Sequence, residues 1–190
     1  MPEKRAELIM SLWVTAYLGL GANLPLTQSP DRTLCLACAR LRCTFGVHLA
    51  KVSSLYRSKP WGETNQPEFY NAVVRIETML SPRELLGAVK NIERELGRTP
   101  TYRWGPRVID IDILLYGDSE IDESDLMIPH RHLLERPFAY VPLIEIAPEA
   151  TLPDGLPLVL AVAKTHADNG ELEKLGSLAR EVEKICGWGG

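Results

Sequence analysis

The chain has 190 residues, of which 45% are hydrophobic and 24% are charged, and its formal net charge at pH 7 is -4. These values are typical of one well-packed globular domain and exclude a disordered chain. The charge excludes a strongly basic surface of the kind that binds nucleic acid in bulk. The four cysteines lack the spacing of a paired zinc motif. They favour reduced thiols in a cytoplasmic protein, with a metal site at Cys35 and Cys38 as the alternative.

The first residues superficially resemble a secretion signal, because the charged segment MPEKRAE precedes the apolar segment LIMSLWVTAYLGLG. The apolar segment continues into a predicted strand, which cleavage would destroy, and no apolar run reaches the roughly 18 residues that suggest a membrane-spanning helix. We therefore expect no signal peptide and no membrane partner. The chain divides into an N-terminal extension over 1–12, a main domain over 13–150 and a C-terminal helical segment of the same domain over 151–190.

The hydrophobic pattern predicts alternating strands and helices. Strands are expected over 14–20, 47–57, 70–78 and 108–116 from their alternation and strand-forming residues. Helices are expected between Pro30 and Gly46 and, after a capping box at SPRE, between Pro82 and Gly97. The order βαββαβ is typical of a ferredoxin-like α+β fold, an antiparallel sheet with helices packed on it. Near the C-terminus, apolar spacing predicts a short helix over 156–164 and a docking helix over 171–185.

Two aspartates interrupt the apolar run VIDIDILLY of the fourth predicted strand. Because side chains alternate along a strand, Asp110 and Asp112 share one face, about 6.5 to 7 Å apart, while Ile109, Ile111, Ile113 and Leu115 share the other. Mg²⁺ typically takes one or two carboxylates and completes its octahedron with phosphate oxygens and water. We therefore interpret the two aspartates as metal ligands. The alternative is a solvated sheet face whose carboxylates pair with arginines.

Basic residues near these aspartates are candidates for phosphate binding. Arg98 and Arg107 flank an irregular segment rich in glycine and proline, and guanidinium groups match phosphate oxygens. His130 lies within reach of Arg136 and is a further candidate donor. Arg94 is more consistent with the solvated face of its helix.

Aromatic residues add a possible binding surface for a flat ring. Phe69 and Phe138 either belong to the core or sandwich a heterocycle, and Trp104 is either a core anchor or part of a lid. The polar loop SKPWGETNQP over 58–67 is long enough to be functional. The pattern of Gly19 and Gly21 lacks the third glycine and the following acidic residue of a dinucleotide fingerprint, so it does not favour such a site.

Five segments of the sequence closely resemble one family: YRSKPWG, QPEFYNAVV, ELGR, RWGPRVIDIDILLYG and IPHRHLLERPFAYVPLIEIAPE. They are similar to the 6-hydroxymethyl-7,8-dihydropterin pyrophosphokinases, also called 2-amino-4-hydroxy-6-hydroxymethyldihydropteridine diphosphokinases, and the likeness extends from about Ala16 to Glu149. The resemblance implies that the main domain transfers pyrophosphate from ATP to the hydroxymethyl group of the pterin. By the same resemblance, AMP would be released, two Mg²⁺ ions would be required, and the product would enter folate biosynthesis.

The same resemblance implies roles for the residues at the motif positions. Both metals would be held by Asp110 and Asp112. Catalysis would depend on Arg98, Arg107, Asp110 and Asp112. ATP would be contacted by Arg98, Arg107, His130, Arg136 and Trp104, the last lying with Arg103 on a closing loop. The pterin would be contacted by Ser58, Trp61, Phe69, Asn71, Phe138 and Asp110.

The chain departs from some family members at two positions. Pro100 stands where some members carry a second arginine, and Arg131 stands where others carry a tyrosine. Two other functions are also open from the sequence. A nucleotidyltransferase with a different acceptor would use the same pair of aspartates, and a non-catalytic ferredoxin-like binding module would leave that pair without a partner.

Overall fold

The structure, a computed structural model, describes residues 13–99, 105–165 and 172–186, with side chains described up to residue 184. In chain order its elements are β1 (Val14–Ala22), α1 (Pro30–Arg42), β2 (Val47–Val52), β3 (Ser54–Ser58), β4 (Phe69–Thr78), α2 (Pro82–Glu95), β5 (Asp110–Tyr116), β6 (Ile121–Asp122), β7 (Met127–Ile128), α3 (Pro137–Ile146), α4 (Leu158–Lys164), β8 (Leu172–Ser177) and α5 (Leu178–Cys186). The predicted capping box at Ser81 and Glu84 is present at the start of α2. Across these three segments, no helix is long and apolar enough to cross a membrane.

The main sheet is antiparallel and has helices on both faces. Its strands follow the order β5–β1–β4–β3–β8, and β2 also pairs with β4. One core cluster joins the sheet to α1, α2 and α5, and a second joins its opposite face to α3 and α4. The prediction of an antiparallel sheet with helices packed on it is therefore confirmed.

The predicted strand over 47–57 is wrong in one respect, because it is two strands that meet at Ser53. The Ser53 hydroxyl accepts a hydrogen bond from the backbone N–H of Val73 at 2.9 Å and donates to the carbonyl of Ser54 at 2.8 Å. This side chain therefore substitutes for a backbone group in the pairing with β4. Alternation of apolar residues carries no signal for such a substitution.

A β-bulge interrupts β5 after the two aspartates. The pairing of β1 with β5 shifts between Leu18, which is opposite Ile113, and Tyr17, which is opposite Leu115. Leu114 and Leu115 consequently both pack on the α3 side, so the predicted placement of Leu115 with Ile113 is wrong. The carbonyl of Leu114 accepts a hydrogen bond from the backbone N–H of His130 at 3.0 Å. The bulge thereby brings His130 next to the strand.

The C-terminal segment is only partly helical. The predicted helix over 171–185 is wrong for residues 172–177, which form β8 and pair with β3. Helix α5 begins at Leu178, and its Leu178 and Val182 are buried against the core. The unpaired backbone groups at the edge of β3 favour a strand here, and this pairing overrides the helical spacing of the leucines. The short helix predicted over 156–164 is confirmed as α4.

The junction at Ser53 makes a prediction about stability. Ser53 is 1% exposed and Val73 is fully buried, so Ser53→Ala leaves a buried N–H without its acceptor and should lower the free energy of unfolding by about 1–3 kcal/mol. Urea unfolding followed by circular dichroism measures this change. Ser29→Ala is the control, because Ser29 is exposed and caps α1 without a side-chain hydrogen bond. Equal stability of the two variants would contradict the role of Ser53.

Candidate active site

The two aspartates of β5 lie above an open part of the sheet. In the neighbouring strand β1, Gly21 is opposite Asp110 and Gly19 is opposite Asp112. On its other side, Gly21 is opposite Asn71 of β4. Because Gly21 carries no side chain, the sheet has an open floor beside Asp110. The space above Gly19 is filled by the side chain of Leu114, which would lie 3.3 Å from a Cβ at that position. Both glycines, which the sequence pattern left without a role, therefore make room at this site: Gly21 leaves space beside Asp110, and Gly19 accommodates Leu114.

Asp110 is held by two guanidinium groups. Arg98 donates to its Oδ1 at 2.5 Å, and Arg107 donates to its Oδ2. Burial raises the pKa of Asp110, but the cations of Arg107, Arg98 and Lys90 outweigh burial, and the pKa is lowered from its ordinary value. Asp110 is therefore ionised at neutral pH and forms the centre of a charged cluster.

Glu93 is a residue of the candidate site that the sequence reasoning missed. Its carboxylate is 2% exposed and accepts hydrogen bonds from the backbone N–H of Ile111 at 2.7 Å and from Lys90 Nζ at 2.8 Å. It also lies 2.6 Å from a guanidinium nitrogen of Arg98. The signal was its position four residues after Val89, on the buried stripe of α2, where an acidic residue requires a partner. Glu93 thus joins α2 to β5 and orients two cations toward Asp110.

Asp112 lies in a different electrostatic environment. The described basic side chain within 4 Å of it is His130, whose Nε2 is 3.9 Å from Oδ2, and the Asp112 side chain is 37% exposed. Burial of the carboxyl group and the neighbouring charge of Asp110 raise the pKa of Asp112 to about 6. Burial and the charges of Arg136 and His132 lower the pKa of His130 to about 4. At pH 7 a neutral imidazole therefore stands beside an ionised carboxylate, an arrangement that favours a bound cation.

The donor set fits a hard divalent cation that also binds a ligand. In the part of the chain that the structure describes, no group of three or more His, Cys, Asp or Glu side chains is placed to hold a metal by itself. Asp110 and Asp112 provide two carboxylates on one face of β5. Mg²⁺ commonly takes one or two carboxylates from a protein. The remaining positions would belong to oxygens of substrate and water.

A cavity extends from the aspartates toward aromatic side chains. It is lined by Ser58, Lys59, Trp61, Phe69, Asn71, Arg107, Asp110, Asp112, Arg136 and Phe138. These include every residue for which the sequence predicts a contact with the pterin. Asn71 Nδ2 donates to Ser58 Oγ at 2.9 Å and to the carbonyl of Phe69 at 3.3 Å, which orients the amide at the cavity wall.

Arg136 lies between the aromatic rings and the carboxylates. The guanidinium carbon is 4.4 Å from the ring centroid of Trp61 and 5.8 Å from that of Phe138. Its Nε is buried and has no hydrogen-bond partner among the residues described. Burial lowers the pKa of Arg136 from its ordinary value. A buried guanidinium with an unused donor is suited to an anionic ligand.

A second cavity adjoins the first at Asp112. It is lined by Leu86, Lys90, Ile111, Asp112, Ile113, Glu123, Ser124, Asp125, Leu126, Met127, His130 and Arg131. A smaller cavity containing Gly19, Asp112, His130, Arg136 and Phe138 lies between the two. Asp112 lines all three cavities, so it stands where a ligand in one would meet a ligand in another.

The comparison with known proteins identifies the family. The family model described as 7,8-dihydro-6-hydroxymethylpterin-pyrophosphokinase (HPPK) matches residues 17–148. The chain belongs to this family. The resemblance inferred from the sequence motifs is therefore confirmed.

Two curated relatives of this HPPK family member carry the name 2-amino-4-hydroxy-6-hydroxymethyldihydropteridine pyrophosphokinase. The protein from Haemophilus influenzae is 42% identical over 156 residues, which cover 82% of this chain and 95% of that protein. The protein from Methylorubrum extorquens is 45% identical over 139 residues, which cover 72% and 85% of the two chains. A solved structure of wild-type Plasmodium falciparum HPPK-DHPS with pteroate has a TM-score of 0.63 at 17% identity and covers 80% of this chain. This chain spans 44% of that longer protein, and the likeness concerns the fold alone.

Asn23 is a second residue that the sequence reasoning missed in this HPPK family member. Its Oδ1 accepts a hydrogen bond from the backbone N–H of Arg107 at 2.7 Å. Its Nδ2 donates to Gln66 Oε1 and to the carbonyl of Pro67, both at 3.0 Å. Asn23 therefore ties the end of β1 to Arg107 and to the loop before β4. An asparagine in a turn carries no sequence signal that distinguishes this role from ordinary turn formation.

Other predicted positions are placed only in part. Arg94 is exposed on α2, as predicted. Arg131 lines the second cavity. Pro100, Arg103 and Trp104 lie outside the described residues, so the closing loop and its contact with ATP stay predictions.

The raised pKa of Asp112 makes a prediction about stability and pH. Because the folded chain holds this proton more tightly than the unfolded chain, ionisation of Asp112 destabilises the fold as the pH rises from about 4 to about 6. Asp112→Asn should raise the free energy of unfolding by about 1 kcal/mol at pH 7.5 in the presence of EDTA, since partial exposure weakens the effect. The difference should vanish below pH 4.

Chemical unfolding across this pH range, with Asp118→Asn as the exposed control, measures the difference. A stability gain that does not change with pH would contradict the electrostatic explanation.

Proposed function

We propose that this chain transfers the diphosphate group of ATP to the hydroxymethyl group of 6-hydroxymethyl-7,8-dihydropterin, which gives AMP and the pterin diphosphate in folate biosynthesis. Membership in the HPPK family supports the reaction. The single observation that carries the assignment of the site is the position of Asp112 at the junction of two cavities, one aromatic and one next to α2. A group transferred between two bound substrates must pass through such a junction.

The aromatic cavity is suited to the pterin. Phe69 and Phe138 offer apolar ring faces, and a flat heterocycle packs well against such faces. Asn71 and Ser58 provide polar atoms at the edge, where the ring nitrogens and carbonyl of a pterin require partners. Asp110 and Trp61 complete this wall. Together these groups match the chemistry of a ring that is apolar on its faces and polar on its edges.

The second cavity is suited to ATP. Leu86 and Ile113 provide apolar surface for the adenine, and Lys90 and Arg131 provide positive charge. The phosphates would extend from there toward Asp112. Arg98 and Arg107 lie beside Asp110, Arg136 lines the aromatic cavity next to Asp112, and all three guanidinium groups match phosphate oxygens.

Asp110 and Asp112 would hold Mg²⁺, and we propose two ions as the family resemblance implies. Bound Mg²⁺ neutralises phosphate charge and orients phosphate oxygens. Because both oxygens of Asp110 accept from Arg98 and Arg107, binding of Mg·ATP would replace these ion pairs with carboxylate–metal and arginine–phosphate contacts. Before the ligand binds, the two arginines and the carboxylate of Asp110 thus neutralise one another.

The protonation of His130 supports a role as a neutral donor. The backbone N–H of His132 donates to Nδ1 of His130 at 3.2 Å. In the neutral imidazole the proton must then lie on Nε2, the nitrogen that faces Asp112. His130 can therefore donate a hydrogen bond to a phosphate oxygen without adding charge. The chain's contribution to diphosphoryl transfer is consequently positioning and charge neutralisation, which are the main requirements of this chemistry.

We also infer three further features of the protein: its sheet arrangement, the domain to which its C-terminal segment belongs, and its location. The order β5–β1–β4–β3 with antiparallel pairing supports a ferredoxin-like arrangement. The burial of Leu178 and Val182 supports a C-terminal segment that belongs to the main domain. Free thiols at Cys35 and Cys43 support a cytoplasmic location.

The first test of the proposed function is product analysis. With ATP, Mg²⁺ and the hydroxymethyl dihydropterin, mass spectrometry should detect AMP and a pterin diphosphate. Asp112→Ala should reduce the rate by about three orders of magnitude, since metal-assisted charge neutralisation contributes several kcal/mol. Asp118→Ala is the control of equal charge change. Formation of ADP and a pterin monophosphate, or full activity of a folded Asp112→Ala protein, would overturn the proposal.

The second test concerns the glycine floor. A Cβ at Gly21 would lie 3.5 Å from Asn71 Oδ1 and 4.0 Å from Phe69 Cδ1, which is ordinary contact distance. Gly21→Ala should therefore have little effect, whereas the branched side chain of Gly21→Val should weaken pterin binding about tenfold, the factor given by 1.4 kcal/mol. Calorimetry in the presence of a non-hydrolysable ATP analogue measures the affinity. Equal affinities of the two variants would show that the pterin does not lie on this floor.

A further inference from the structure

The C-terminal strand β8 lies beyond residue 148, where the match to the family model ends, yet it pairs with a wall of the aromatic cavity. That wall is β3, whose last residue Ser58 lines the cavity. β3 pairs with β4 only from Tyr56 to Ser58. It pairs with β8 along its whole length, from Ser54 to Ser58. β8 therefore provides more of the backbone pairing of β3 than the central strand of the sheet does.

Side chains reinforce this pairing next to the cavity. Arg57, which precedes Ser58, donates from Nε to Glu173 of β8 at 3.1 Å. The same nitrogen lies 3.5 Å from Glu68, which precedes β4. Arg57 thus links β8 to the segment that leads into Phe69, another residue of the cavity wall.

The opposite wall of the cavity is joined to β3 and β8 through Glu145. Helix α3 carries Phe138 in its first turn and Glu145 in its last turn. The carboxylate of Glu145 accepts hydrogen bonds from Ser54 Oγ and Tyr56 Oη, both at 2.7 Å, and from Lys174 Nζ of β8 at 3.2 Å. One carboxylate therefore fixes α3 to β3 and to the C-terminal strand.

Of the described residues proposed to contact ATP, Arg136 alone adjoins α3. The second cavity itself does not depend on these elements. Its lining residues come from α2, from β5 and from the segment between residues 123 and 131, with no residue of β3, α3 or β8. A change in β8 should therefore separate the two binding steps.

We propose that β8 is a positioning element that holds β3 and α3 around the aromatic cavity, so that the C-terminal segment sets the affinity for the ring-bearing substrate and not for the nucleotide. The identity of that substrate rests on the proposed function. The placement of the cavity walls by β8 is independent of the proposed function.

The test uses the full chain with a substitution that strains β8 without a clash. Gly176 has a φ of 146°, a region that side-chain-bearing residues rarely adopt, and a Cβ there would meet nothing within 4 Å. Gly176→Val should therefore weaken the pairing of β8 through backbone strain. Gly155→Val is the matched control, because Gly155 has a φ of 81° and an equally open surrounding but lies in the turn before α4.

Calorimetry gives the first readout. The affinity for a non-hydrolysable Mg·ATP analogue should stay within about twofold of the parent chain, while the affinity for the hydroxymethyl dihydropterin, with the analogue at saturation, should fall about tenfold if the competent arrangement drops to about a tenth of the population. Gly155→Val should change neither affinity. Equal weakening of both ligands, or unchanged pterin affinity in folded Gly176→Val, would overturn the proposal.

A second pair of variants applies if Gly176→Val does not fold. Lys174→Glu places a carboxylate opposite Glu145 and should weaken pterin binding in the same direction, whereas Lys174→Arg retains the cation and should restore it. Lys184→Glu is the control, since its partner Glu181 is on the exposed face of α5. Unchanged pterin affinity in Lys174→Glu would overturn the proposal.

Hydrogen exchange provides a readout that needs no pterin. Amides of β3 and α3 should exchange faster in Gly176→Val, and those of β1 and β5 should not change. If exchange accelerates in this pattern while the parent chain forms no pterin diphosphate, the proposed function fails and the positioning role stands. Unchanged exchange in β3 would refute the positioning role regardless of activity.

Discussion

The site depends on neighbouring cations that compensate the negative charge of one carboxylate on β5. Asp110 is mostly buried, and such a charge is stable only with cations beside it. Arg98 and Arg107 provide these cations, and Glu93 in turn fixes Arg98 and the backbone of Ile111. The cluster therefore ties α2, β5 and the segment before β5 together. Its geometry leaves Asp112 free of close cations, which makes Asp112 the point where an added cation has the most to neutralise.

Much of this arrangement follows from local rules. Alternation along a strand places Asp110 and Asp112 on the same face, and the motifs around Arg98, Arg107 and His130 locate the surrounding charges. Glu93 had a local signal, its place on the buried stripe of α2, although its bond to the backbone of Ile111 had none. The contribution of Asn23 depends on partners far away in the chain, so no local pattern could show it. The division at Ser53 also depends on a distant partner, Val73.

The C-terminal segment is a case in which local sequence patterns do not determine the structure. Its leucine spacing is equally compatible with a helix, and only the free edge of β3 decides for a strand over residues 172–177. Because that edge exists only after the rest of the sheet has formed, the preference is a property of the folded domain. The family motifs contain the residues that line the aromatic cavity, whereas no motif indicates the strand that pairs with its wall.

The bulge at Leu114 interrupts the regular alternation of β5 next to the site. If Leu114 were deleted, Ile113, Leu115 and Tyr116 would follow simple alternation and keep their present faces. Both aspartates would also keep theirs, because they precede the bulge. The loss would be the carbonyl that receives the backbone of His130 and the buried Leu114 side chain, which packs over Gly19. A deletion at this point of β5 would therefore remove both a core side chain and the anchor of the imidazole, so one extra residue serves packing and the site together.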